Sequence, residues 1–184
     1  MTPMLQHPFT LIVEEPSGCD KSTFVIWILE CREQLCNIAF KNIVRGQSEK
    51  NTPQHLQNVS TFKGVPELEN PETVHTNIVL GDLMGSAFST KVSELFTNES
   101  HHCNKSLIPI TQNFFNQGPS SRNISLNSKY IVVFKNPRDK TQIVHLARHV
   151  YPENISSFHK RCLEVCKDPN SYLFLDRTLP INEY

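Results

Sequence analysis

Short apolar runs alternate with helix-length stripes along this chain. Residues 9–13 (Phe-Thr-Leu-Ile-Val) predict a buried strand, and residues 24–35 predict a helix with Phe24, Ile28, Leu29 and Leu35 broadly on one side. The lone tryptophan, Trp27, is read as core. Residues 37–44, rich in Ile, Ala, Phe and Val, predict a second strand. Residues 45–72 are polar and interrupted by Pro53, Pro66 and Pro71, with Val59, Phe62 and Val65 offering one short strand. Further strands are predicted at 77–80, 106–111, 130–134 and 172–175, and helices at 87–97, 139–149 and 155–165. Val92, Leu95 and Phe96 face inward from the first of these helices. Ile143, Leu146 and Ala147 do so from the second, with Asp139 as its N-cap. Pro109 inside 106–111 is a local conflict, because proline removes a ladder donor from a strand that should be central. Strands alternating with helices predict an α/β fold with a mostly parallel sheet flanked by helices on both faces. Ligands of such sheets sit at the carboxyl ends of the strands.

The 184 residues suit one domain, 1–184, with 45–72 as an irregular insertion and 177–184 as a tail. Lys plus Arg and Asp plus Glu are 18 each, a formal net charge of zero, so no broad electrostatic pull toward DNA is expected. A hydrophobic fraction of 38% fits a soluble globular protein. No apolar run reaches the roughly 20 residues that span a bilayer, and residues 1–7 have no leader pattern. The expected location is intracellular, cytoplasm or nucleus, without membrane contact, and the six cysteines are expected as reduced thiols. The Asn-X-Ser sequences at Asn58, Asn98, Asn104, Asn123 and Asn154 then read as chance matches.

The chemistry-bearing stretch is Glu15-Pro16-Ser17-Gly18-Cys19-Asp20-Lys21-Ser22-Thr23, between the first strand and the first helix. Strand, loop, helix is the setting of a phosphate-binding loop: Gly, four residues, then Gly-Lys-Ser/Thr. Its backbone N–H groups cradle phosphates at a helix N-terminus. Lys21 would reach the outer phosphates, Ser22 would bind Mg²⁺, and Thr23 would support them. Both glycine positions carry acids, Glu15 and Asp20. At Asp20 a Cβ obstructs close approach. A unit charge about 4 Å from a phosphate oxygen is repelled by roughly 4 kcal/mol at an effective dielectric near 20. Glu14 adds a further charge, although it and Glu15 could swing into solvent. Asn77-Ile78-Val79-Leu80-Gly81-Asp82 is an apolar run ending in a single acid. P-loop ATPases use such a strand end to hold Mg²⁺ and polarise water. An isolated Asp there also reads as a helix cap.

His7-Pro8-Phe9, Asp82-Leu83-Met84, Leu95-Phe96-Thr97, Ser100-His101-His102, Ile110-Thr111-Gln112-Asn113, Ser125-Leu126-Asn127, Phe134-Lys135-Asn136-Pro137-Arg138-Asp139, His145-Leu146-Ala147-Arg148 and Val150-Tyr151-Pro152 follow in order. Together they resemble the genome-packaging ATPases of the FtsK/HerA superfamily, in the poxvirus-type branch of large DNA viruses and Polinton/Maverick elements. The resemblance covers residues 7–176, most strongly 78–152. It implies a three-layer P-loop NTPase domain that binds ATP and Mg²⁺, assembles into a homo-oligomeric ring and drives double-stranded DNA into a capsid. It also implies that Asp82 matches the second of two strand-end acids, the one serving the water. Gln112 matches the sensor at the γ-phosphate, and Arg122 or Arg138 would act from a neighbouring subunit. Glu15, Asp20 and Gly81 depart from the family pattern at chemical positions. Two expectations follow: a packaging ATPase with impaired or absent hydrolysis, a degenerate copy, or a non-catalytic protein-interaction module descended from one.

Other groups read more plainly. His101-His102-Cys103 with Cys162 and Cys166 lacks the usual spacing of a zinc site. Cys19 at a helix start could carry a low-pKa thiol, which the neighbouring acids oppose. Lys135, Arg138, Lys140 and Arg148 form a basic group, either a solvated helix face or an interface and DNA contact.

Overall fold

The computed structural model describes residues 5–14, 21–40, 42–47, 59–63, 76–80, 105–111, 124–134, 141–150, 152–165 and 171–178. Their elements are β1 (Leu11–Glu14), α1 (Lys21–Glu30), α2 (Arg32–Leu35), β2 (Asn42–Gln47), β3 (Val59–Lys63), β4 (Thr76–Leu80), β5 (Lys105–Thr111), β6 (Tyr130–Phe134), α3 (Thr141–Val150), α4 (Ile155–Val165) and β7 (Tyr172–Asp176). A helical turn at 124–127 leads into β6. The strands form a seven-stranded sheet in the order β3-β2-β4-β5-β1-β6-β7. Neighbours run parallel except β6 and β7, which are antiparallel. The fold is mixed α/β with helices on both faces, as the alternation of patterns predicts.

The pleat of the central strands sorts side chains into two cores. Leu11 and Val13 of β1 and Tyr130, Val132 and Phe134 of β6 join Val25, Ile28 and Leu29 of α1 and Leu35 of α2. The alternate residues of β6, Ile131 and Val133, pack against Ile143, Leu146 and Ala147 of α3 and Phe158 and Cys162 of α4. These α3 residues are those the helical stripe predicts as inward. β6 and α4 match their predicted bounds, and β4 lies at the predicted acid-bearing strand.

Several elements differ from the sequence reading. The first helix begins at Lys21, and it breaks at Cys31 (φ −88°, ψ 10°), where the Arg32 guanidinium donates to the Leu29 carbonyl at 2.6 Å. Trp27 is not core: it is 40% exposed. Thr23, Trp27 and Glu30 recur at i, i+4, i+7 and form the outward stripe of α1, whose other side fills the core. β2 starts at Asn42 rather than 37 because residues 36–40 are engaged with the N-terminal segment. Leu5 bridges Cys36, the Asn37 N–H donates to the Leu5 carbonyl at 3.1 Å, and His7 N–H donates to Asn37 Oδ1 at 2.7 Å. Phe40 closes that contact edge-on to the His7 and Phe9 rings. β3 falls where Val59 and Phe62 offered a short strand. Arg177, first residue of the predicted tail, is tied down: its guanidinium donates to the carbonyls of Ser125 at 2.6 Å and Ser128 at 3.2 Å. The sequon residue Asn154 accepts the Ser157 N–H at the start of α4, an N-cap contact. The predicted 87–97 helix and the Asp139 cap lie outside the described residues.

Pro109 does occupy a central strand, level with Leu80 of β4. On its other side, β5 keeps one register with β1 from the Thr10↔Leu107 bridge to Val13↔Ile110, but the ladder is interrupted between them. Leu107 N–H donates to the Phe9 carbonyl, so the next donor aimed at β1 would be residue 109. The proline removes that donor without shifting the strand.

Two stability measurements check this packing. Leu29→Ala removes a side chain with no exposure, and should cost about 3 kcal/mol in urea unfolding, against under about 0.5 for the exposed Leu163→Ala. Burial pushes the Cys36 thiol up from an ordinary 9.0 to about 11. The unfolded state therefore loses this proton first. Stability is intact below about pH 9 and declines toward 11, and Cys36→Ala should show a shallower decline.

Candidate functional site

The loop between β1 and α1 occupies positions 15–20, outside the described residues with Pro16, Ser17, Gly18, Cys19 and Asp20. Gly81, Asp82, Gln112, Arg122 and Arg138 also lie outside them. The flanking frame is described. β1 delivers the chain to the loop at Glu14, and Lys21 and Ser22 are the first two residues of α1, with Thr23 exposed in the same turn. α1 starts directly at the lysine because its interior side, Val25, Ile28 and Leu29, is anchored in the core beside β1 and β6.

The sheet order brings the three candidate strand ends side by side. β4, β5 and β1 are consecutive and parallel, so their carboxyl ends share one edge. Glu14 is level with Thr111, and Leu80 with Pro109. Asp82 and Gln112 follow those ends by two residues and one residue in the sequence. β5 stands between the loop strand and the acid strand. The sequence alone gives no sign of that insertion, because the order of parallel strands is set by crossover connections.

Glu14 overturns one expectation. It does not swing into solvent: it is 2% exposed, level with Thr111 on one side and Val133 on the other. Strand parity puts it with Ile12 on the sheet face opposite α1. Thr111, also 2% exposed, shares its face by register. A buried acid and a buried hydroxyl thus sit at the carboxyl edge of an otherwise apolar sheet centre. Period two counted from Leu11 would have assigned Glu14 to a sheet face.

The remaining buried polar side chains near β1 serve the opposite end. Ser106 Oγ accepts the Phe9 N–H at 3.1 Å and lies 2.6 Å from His7 Nδ1. Thr10 Oγ1 donates to the Asn127 carbonyl and accepts the Lys129 N–H, both at 3.0 Å. Lys129 Nζ donates to the Pro8 carbonyl at 2.6 Å. Cys162 is buried in the α3–α4 core, and Arg148 is exposed on α3. Among the described residues no group of three or more His, Cys, Asp or Glu side chains could hold a metal ion, and no helix is long and apolar enough to cross a membrane.

No protein-family model matches the sequence, and no curated protein matches it. Solved structures do match in fold. The genome packaging NTPase B204 of Sulfolobus turreted icosahedral virus 2, in complex with AMPPCP, superposes with a TM-score of 0.59 at 11% identity, covering 93% of both chains. Its complex with ATP-gammaS gives 0.58 at 12% identity, again covering 93% of each. The DNA-packaging ATPase B204 of Sulfolobus Turreted Icosahedral Virus gives 0.56 at 10% identity, covering 97% of this chain and 95% of that one. This chain has the fold of those proteins over nearly their whole length.

Glu14 yields a direct test. As a general scale, a unit charge repels an anion by about 2 kcal/mol at roughly 8 Å and an effective dielectric near 20. Glu14→Gln should raise the affinity for inorganic triphosphate about 10- to 30-fold in calorimetric titration. Unchanged affinity would show that this carboxyl does not sense the loop.

Proposed function

We propose that this chain is a P-loop nucleotide-binding domain of the DNA-packaging ATPase kind, in the poxvirus-type branch of the FtsK/HerA superfamily, with impaired or absent ATP turnover. The observation that carries the proposal is the shared edge of β4, β5 and β1, with α1 opening on Lys21-Ser22 beside it. The likeness in fold to B204 supports it.

The frame fits Mg-ATP, and the charges do not. A strand end feeding a helix that opens on lysine and serine is the frame a triphosphate requires. Lys21 would hold the outer phosphates, Ser22 would take the Mg²⁺, Asp82 would orient the attacking water, and Gln112 would meet the γ-phosphate. Mg²⁺, when bound, neutralises charge on the β- and γ-phosphates. Either Arg122 or Arg138 would complete a neighbouring subunit's site in a ring around double-stranded DNA. Against this stand Glu15, Asp20 and the buried Glu14, with Gly81 lacking a carboxylate. Lys21 alone does not offset three acids near one anion.

The burial of Glu14 also favours a second reading, a non-catalytic descendant that keeps the fold and binds protein partners or blocks related rings. Titration with Mg-ATP separates the two. The wild-type chain should bind at least about 100-fold more weakly than the triple variant Glu15→Gly, Asp20→Gly, Gly81→Asp, since roughly 4 kcal/mol of repulsion exceeds two decades of affinity. Adding Lys21→Ala to the variant should abolish its binding. Rapid hydrolysis by the unmodified chain would overturn the impairment, and a triple variant that binds no nucleotide would overturn its cause.

A further inference from the structure

The exposed large hydrophobic side chains among the described residues are Trp27, Leu126, Leu163, Val165 and Tyr172. The two aromatic ones meet on a third ring. Trp27 lies against Phe24 with ring centroids 5.8 Å apart and planes at 29°, a stacked pair. Phe24 touches Tyr172 at 5.0 Å and Phe134 at 5.1 Å, and Phe134 touches Tyr172 at 5.5 Å. Trp27 and Tyr172 are 40% and 37% exposed, so the cluster has a buried base and two open rings.

Its place in the sheet is informative. Phe134 ends β6 and is paired with Tyr172, which begins the antiparallel β7. Both therefore stand at the carboxyl edge of the parallel strands, the edge where β1 reaches the loop. Phe24 lies within one helical turn of Lys21. β4 and β5, which lead to Asp82 and Gln112, lie on one side of β1, and β6 and β7 lie on the other. A nucleotide with its terminal phosphate toward β5 and β4 must extend its other end toward β6 and β7. That end is the base.

We infer that Phe24, Trp27 and Tyr172 form an aromatic wall on which the base of a nucleoside triphosphate stacks. The inference rests on the nucleotide reading above and adds the base subsite to it. Stacking uses the π-face that every base has, so the wall supplies affinity without reading base identity.

The chain's single tryptophan makes the test direct. The protein is the triple variant Glu15→Gly, Asp20→Gly, Gly81→Asp, titrated with Mg-ATP and with Mg-tripolyphosphate, which has no base. Melting temperature reports occupancy of the loop, and Trp27 emission reports the wall. Both ligands should raise the melting temperature, and only ATP should quench Trp27 saturably. Tyr172→Leu, which keeps an apolar side chain and removes the ring, should weaken ATP about 10-fold and leave tripolyphosphate unchanged. ATP that raises the melting temperature without quenching Trp27 overturns the wall and leaves the nucleotide reading standing. So does an ATP affinity unaltered by Tyr172→Leu. Emission that follows protein concentration rather than ligand overturns it in favour of a contact between copies. No melting shift with either ligand overturns the nucleotide reading and this inference with it.

Discussion

The pleat of β1 is the constraint on which the rest depends. Four consecutive buried residues, Leu11 to Glu14, sit between two parallel neighbours, so their alternation cannot be relaxed on either side. Leu11 and Val13 are committed to the core beneath α1, and Ile12 and Glu14 to the opposite face. A slip of one residue would turn Ile12 and Glu14 toward the core beneath α1 and take Leu11 and Val13 out of it. Misfitting side chains on both buried faces cost more than any single ladder bond returns. The strand's register, the level at which it enters the loop and the start of α1 are therefore fixed together.

The N-terminal segment enforces that register from below. Leu5 is held by the Leu35 carbonyl and Phe9 by Ser106 Oγ, while Lys129 Nζ takes the Pro8 carbonyl. These ties are polar groups satisfied at the amino end of the sheet. The polar groups at its carboxyl end, Glu14 and Thr111, flank the loop instead. Hydrogen bonds at the amino end thus fix the level at which the strands reach their carboxyl ends.

How much of this was legible in the sequence follows from what each residue's environment requires. β6 was plain because Tyr-Ile-Val-Val-Phe is buried on both faces and can be little else. α4 was plain because Phe158 and Cys162 recur at helical spacing among polar neighbours. Trp27 was misread because residue type suggested core, while the stripe through Thr23 and Glu30 decides which way position 27 faces. β2 starts later than its pattern suggests because Asn37 and Phe40 are held by the N-terminal segment, a tertiary override that no local window contains. Pro109 read as a conflict and proved to be a one-donor gap in an otherwise continuous register. The candidate site was legible as a set of strand ends. The insertion of β5 between them was not, nor was the burial of Glu14, which depends on neighbours far along the chain.

The strand order also sets a timetable for biosynthesis. β1 leaves the ribosome early, but both its partners are made late: Ser106, which binds the Phe9 N–H, lies 97 residues downstream. At 5–20 residues per second, β1 waits on the order of 5–20 s before β5 exists to receive it. Throughout that interval Leu11, Ile12 and Val13 form an apolar strand without its partner strands. The segment that finally carries the loop is thus an aggregation-prone part of the nascent chain. An acid at its end, Glu14, places a charge beside that sticky run before any ligand or partner strand can reach it.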